Sequence, residues 1–152
     1  MSNTLTISIL DMLDAQRSFI TKIEELSEEE INWSPLPDKN SIGNLLDHLI
    51  GSERFHVHEK IFGIEINRIR EKEFEKKSRS KKSLLASYQE MATKTRELLK
   101  TKLEDERFLE PSLGDDKTKT VFWRLTHVIE HNYYHIGQIN LLIGLRKSNN
   151  SK

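Results

Sequence analysis

Apolar residues recur every three to four positions through four long stretches of this chain. That is the spacing of amphipathic α-helices, and no segment shows the alternation of a half-buried strand. In the first stretch, from about Thr4 to Leu26, the repeat is carried by Leu5, Ile9, Met12, Leu13, Phe19 and Ile23. It stops before Asn32-Trp33-Ser34-Pro35-Leu36-Pro37, where two prolines deny a helix its hydrogen bonds. A second helix is predicted from Ser41, a good N-cap, to about Phe62. A third runs from about Ser83 to Leu103, and a fourth from about Thr120 to Arg146 with Thr118 or Thr120 as its cap; a flexible tail is expected from about residue 147. Between the second and third helices, Arg68 to Lys82 is rich in Lys, Arg and Glu and reads as a mixture of solvated helix extension and flexible connector. Glu110-Pro-Ser-Leu-Gly-Asp-Asp is a loop. The pattern predicts an all-α four-helix bundle in a single domain over residues 1–152.

Composition narrows the chemistry. A chain of 152 residues is long enough to bury a core without covalent staples. There is no cysteine, so a metal site must use histidine and carboxylate ligands, and any thiol must arrive with a substrate. Lys+Arg and Asp+Glu both number 24, and that balance argues against nucleic acid or an anionic membrane as partner. The start, Met1-Ser-Asn-Thr-Leu-Thr, lacks the pattern of a signal peptide, and no apolar run approaches the roughly 20 residues that span a bilayer. A cytoplasmic protein is expected.

All six histidines fall in the second and fourth helices: His48, His56 and His58, then His127, His131 and His135. Residues four apart on a helix lie about 40° apart on adjacent turns, so the latter three form a stripe. Histidines at that spacing can grip one metal ion. Val121, Leu125, Val128, Ile129, Ile136, Ile139 and Ile143 define the buried arc of the fourth helix. His135 borders that arc, His131 is one step further out and His127 furthest, so His131 and His135 form the better ligand pair and His127 a rim residue. On the second helix His48 and His56 both flank the apolar arc, and spacing does not choose between them. His58 points away and should be solvated. Glu53 falls near the middle of the arc, where an isolated charge is too costly to bury. It is either a ligand or a partner of a ligand histidine, or it is held in an ion pair with an arginine such as Arg124 or turned outward by a local distortion.

At these residues the sequence resembles the DinB-like superfamily. Trp33-Ser-Pro-Leu-Pro followed by Ser41-Ile-Gly-Asn-Leu-Leu-Asp-His48-Leu is similar to the family's tryptophan–proline turn and first-histidine helix. His127-Val-Ile-Glu-His131-Asn-Tyr-Tyr-His135-Ile-Gly-Gln138-Ile resembles its H-x-x-x-H-x-G-Q signature. The resemblance implies a DinB-like four-helix bundle whose metal is held by His48, His131 and His135, which resolves the choice of His48 over His56. Many members carry an arginine where this chain has Ile136, so any role of that arginine is absent. Characterised relatives include S-transferases and isomerases that depend on bacillithiol, mycothiol or glutathione.

Three imidazoles leave zinc a coordination position open, the pattern of a catalytic site; nickel would accept the same ligands. The leading expectation is a metal-dependent S-transferase that acts on a small-molecule substrate with a low-molecular-weight thiol such as bacillithiol. A metal-dependent hydrolase with Glu53 as catalytic base is the alternative. A non-catalytic metal-binding or dimerisation module is the third reading. Trp123, Tyr134 and Leu141 cluster on the outer side of the fourth helix and predict a homodimer, unless another segment covers them.

Overall fold

The computed structural model describes residues 3–151, and their regular structure is helical, with one isolated β-bridge between Pro111 and Thr120. Four rods make the bundle. The first is α1 (Thr4–Arg17), continued after a bend at Ser18 and Phe19 by α2 (Ile20–Glu24). A short α3 (Glu28–Asn32) follows, opened by a Ser27–Glu30 capping box. The second rod is α4 (Ile42–Glu53), whose N-cap Ser41 exchanges hydrogen bonds with Asn44. It runs directly into a π-helical segment, Arg54–Glu59. After α5 (Arg70–Glu73) come the third rod, α6 (Lys81–Lys102), and a 3₁₀ turn, Asp105–Leu109. The fourth rod is α7 (Val121–Asn150), capped by the Thr120 hydroxyl, which accepts from the Trp123 amide. It continues past Arg146 through the residues expected to form a flexible tail. Among the described residues no helix is long and apolar enough to cross a membrane.

α4 packs on α6 and α7, and α1 packs on the same two helices, so α1 and α4 face each other across the bundle. The core is built as two apolar clusters. One gathers Phe19, Ile23, Leu46, Leu49, Met91 and Ile139; the other gathers Leu13, Val57, Leu99, Phe108, Leu125 and Val128. Each rod supplies a polar residue at the height between them. Gln16 and Arg17 come from α1, Glu53 from α4, Thr95 from α6 and Asn132 from α7. Asn132 Nδ2 donates to Gln16 Oε1 (3.2 Å), and Gln16 Nε2 donates to the carbonyl of Ile129 (2.6 Å). Arg17 reaches through the centre to Glu53, at 2.7 and 3.3 Å. A polar belt therefore divides the core.

Two segments differ from the sequence pattern. The π-helical segment closes wider turns, as in the bond from Lys60 N to Phe55 O (3.0 Å), so side chains along it lag their α-helical positions. His58 consequently turns inward. It is buried at 5% exposure instead of solvated, and its Nε2 pairs with Thr95 Oγ1 at 2.9 Å. The second difference is the charged stretch 68–82, which is neither free nor wholly solvated. Arg79 is buried; its guanidinium donates to Asp47 and to the carbonyls of Lys72 and Glu73. Asn44 donates to the same Glu73 carbonyl, and Asn32 exchanges two bonds with the backbone of Arg79. The stretch is a strap pinned along α4.

Candidate metal centre

His48 on α4 and His131 and His135 on α7 each offer a ligand nitrogen, and the three atoms lie within 4.8 Å of one another. His48 is buried and the other two are partly buried. The shortest approach is His48 Nε2 to His131 Nε2, 3.0 Å. Two nitrogens about 2.0–2.1 Å from one tetrahedral zinc would stand roughly 3.3 Å apart, so this spacing suits a shared ion.

The remaining ring nitrogens decide which lone pairs are available. His48 Nδ1 lies 2.7 Å from Glu73 Oε2, and an ionised carboxylate only accepts, so Nδ1 carries the proton and Nε2 keeps its lone pair. His135 Nδ1 donates to Gln138 Oε1 at 2.7 Å, with the same result. His131 Nδ1 is buried and has no hydrogen-bond partner among the described residues. Burial, followed by the neighbouring His135 and His48, pushes His131 down to about 3. Burial lowers His135 as well. Neutral imidazoles are the form that binds a cation, so the donor set fits a divalent metal.

Glu73 is the residue that sequence reasoning missed. Its carboxylate accepts from His48 and, through both oxygens, from Arg68 at 2.6 and 3.0 Å. Burial works to raise this carboxyl, but those hydrogen bonds outweigh it and hold Glu73 below its ordinary value. The carboxylate can reach His48 because α4 carries glycine at position 51, where a β-carbon would overlap Glu73 Oε1. Higher on the same face, Gly43 leaves room for the Arg79 side chain, with 3.3 Å from an added β-carbon to Cδ. Two glycines inside a helix were the available signal, since such positions often mark a close approach.

The other predicted residues lie elsewhere. Both Glu53 oxygens are taken by Arg17, whose Nη1 also reaches Tyr88 Oη at 3.4 Å. Of the readings of Glu53, the structure displays the ion pair, with Arg17 instead of Arg124. The carboxylate of Glu53 is not part of the three-histidine group. Burial opposes the charge on Arg17, but Glu53 outweighs it and raises the guanidinium pKa further. His127 stands at the rim: its ring stacks on Trp123 (4.8 Å, 8°), its Nδ1 pairs with Glu130, and its centroid is 5.6 Å from that of His131. His56 faces His127 at 4.7 Å and accepts from Arg124 through Nδ1 (3.0 Å). Burial, with His127 and Arg124 adding to it, pushes His56 down to about 3. Trp123 is partly covered by His127 and by Lys119, 4.6 Å above its ring, while Tyr134 and Leu141 are exposed.

Comparison with curated proteins gave no match. The family model of the DinB superfamily matches residues 12–139. That span takes in all three clustered histidines, the carboxylate behind His48 and the two glycines that admit the strap, and the chain belongs to the DinB superfamily.

Proposed function

We propose that this protein is a metal-dependent S-transferase that joins the sulfur of a low-molecular-weight thiol to an electrophilic small molecule. The observation that carries this reading is the convergence of His48, His131 and His135 from two helices, with no fourth protein ligand in the group among the described residues. A divalent ion held there, zinc or nickel by its donor set, would supply an open position at which a thiol loses its proton. The chain has no cysteine, so the thiol comes from solution, with bacillithiol as one candidate.

The chain's own residues do the positioning. Glu73 fixes the His48 ring and its tautomer, Arg68 fixes Glu73, and Gln138 does the same for His135. Glu53 would be the base of the alternative hydrolase. Its two bonds from Arg17 favour the transferase, because a carboxylate so held has little freedom to take a proton. Exposed Tyr134, Leu141 and Leu145 on α7 support a homodimer as part of the proposal, and a monomer at high concentration in sedimentation would remove that part.

The test is elemental analysis of the purified protein beside His131→Ala, followed by transfer assays with and without added thiol. Stoichiometric metal in the parent, its loss in the variant and strict thiol dependence are expected. Equal metal content in both proteins overturns the proposal. Turnover without thiol returns the reading to a hydrolase, and bound metal without turnover to a binding module.

A further inference from the structure

Arg124 on α7 is 5% exposed. Its Nε donates to Ser112 Oγ (3.0 Å) and its Nη1 to His56 Nδ1 (3.0 Å). Nη2 has no acceptor among the described residues, and no carboxylate there pairs with the guanidinium. Three other arginines in comparable settings each have one: Arg17 pairs with Glu53, Arg68 with Glu73 and Arg79 with Asp47. A guanidinium keeps its charge at any working pH, and Asp116 acts on this one through space without forming an ion pair with it.

Aromatic faces flank the guanidinium. The Arg124 guanidinium lies 5.4 Å from the Trp123 ring centroid and 5.9 Å from that of Phe55. Lys60 and Arg68 also approach the Phe55 ring, at 5.0 and 5.6 Å, but their charges are met by Glu59 and Glu73. Arg124 precedes His131 by seven residues on one helix, roughly 10 Å along its axis, with His127 between them.

We propose that Arg124 is the carboxylate-binding residue of the substrate site. The ligand is a small molecule whose anionic end bonds to the free Nη2 while its reacting atom, about 10 Å away along α7, reaches the His48–His131–His135 cluster. This inference rests on the proposed function for the reacting end only. The carboxylate end stands on the free Nη2 of Arg124.

Zinc-loaded protein titrated calorimetrically with mercaptooctanoate, mercaptooctanol and mercaptopropionate tests it. Mercaptooctanoate should bind about tenfold more tightly than the equally long neutral mercaptooctanol, and the short acid should gain no such advantage. In Arg124→Met the preference should collapse, with zinc content and mercaptooctanol affinity unchanged. Arg124→Lys, which keeps the charge, should retain part of it and serves if the methionine variant does not fold. Independently of metal, succinate at constant ionic strength should raise the Tm of the metal-free parent and leave that of Arg124→Met unmoved. Equal affinity of the long acid and the long alcohol in the parent overturns the inference, and so does a preference that survives in Arg124→Met. If the parent binds neither long thiol but succinate still stabilises it through Arg124, the thiol reading fails and the carboxylate seat stands.

Discussion

Glu53 and Glu73 are both buried, and both are paired through two oxygens with an arginine, yet they serve different ends. Glu53 lies in the polar belt, and its arginine comes from the helix across the bundle. Glu73 lies on the strap, and its second partner is a histidine whose other nitrogen faces two more histidines. Burial and an arginine partner therefore do not mark a chemical site in this fold. The group that the carboxylate leans on does.

Removing the charge from each glutamate separates the two roles most sharply. Glu53→Gln leaves Arg17 without a counter-charge in the bundle centre and should cost about 3 kcal/mol in denaturant unfolding, with the metal content of folded protein unchanged. A variant that unfolds like the parent but loses metal would erase the distinction. Glu73→Gln should do the reverse. Loss of the carboxylate behind a metal-ligating histidine typically weakens metal binding about 10- to 100-fold, measurable by competition with a chelator. Gly51→Ala reaches the same carboxylate indirectly, because the added methyl displaces Glu73 from His48. It should weaken metal binding about tenfold, the lower end of that range, without touching a ligand.

The smallest effect concerns pH. Burial lowers His58 on the belt side, and it holds His56 near Arg124 down to about 3. A histidine whose folded pKa lies below its unfolded value of about 6.5 favours folding while neutral. Its contribution is complete above about pH 6.5 and is lost as pH falls toward the folded value, about 3 for His56. Metal-free protein should lose stability on acidification through that window. Replacing either histidine by Gln should flatten the slope by up to about 1.4 kcal/mol per pH unit. An unchanged slope for both variants would show that neither histidine is kept neutral by the fold.

Much of this site could be read from the chain alone, and the limits have identifiable causes. His131 and His135 were legible because a regular helix converts their spacing into one direction. His48 needed the resemblance, since its own helix gave two candidates. His58 was misplaced because a π-helical turn leaves no mark in an apolar pattern, yet it rotates the side chains within it. Glu53 stood out as a charge on an apolar arc, but its partner depended on how α1 is rotated in the bundle, and pattern does not fix that. Glu73 was hidden in Glu71-Lys-Glu-Phe-Glu-Lys-Lys, a run whose composition reads as solvent-facing. Only the glycines at positions 43 and 51 hinted that a segment lies against α4.

The polar belt has a consequence for the histidines it does not touch. Sliding any rod by one turn, about 5.4 Å, would strand Arg17, Glu53, Thr95 or Asn132 against hydrocarbon. The belt thus acts as a height gauge that admits one vertical setting of α4 relative to α7. Since His48 rides on the first and His131 and His135 on the second, the separation of the three rings is calibrated by a layer of side chains that never meets them.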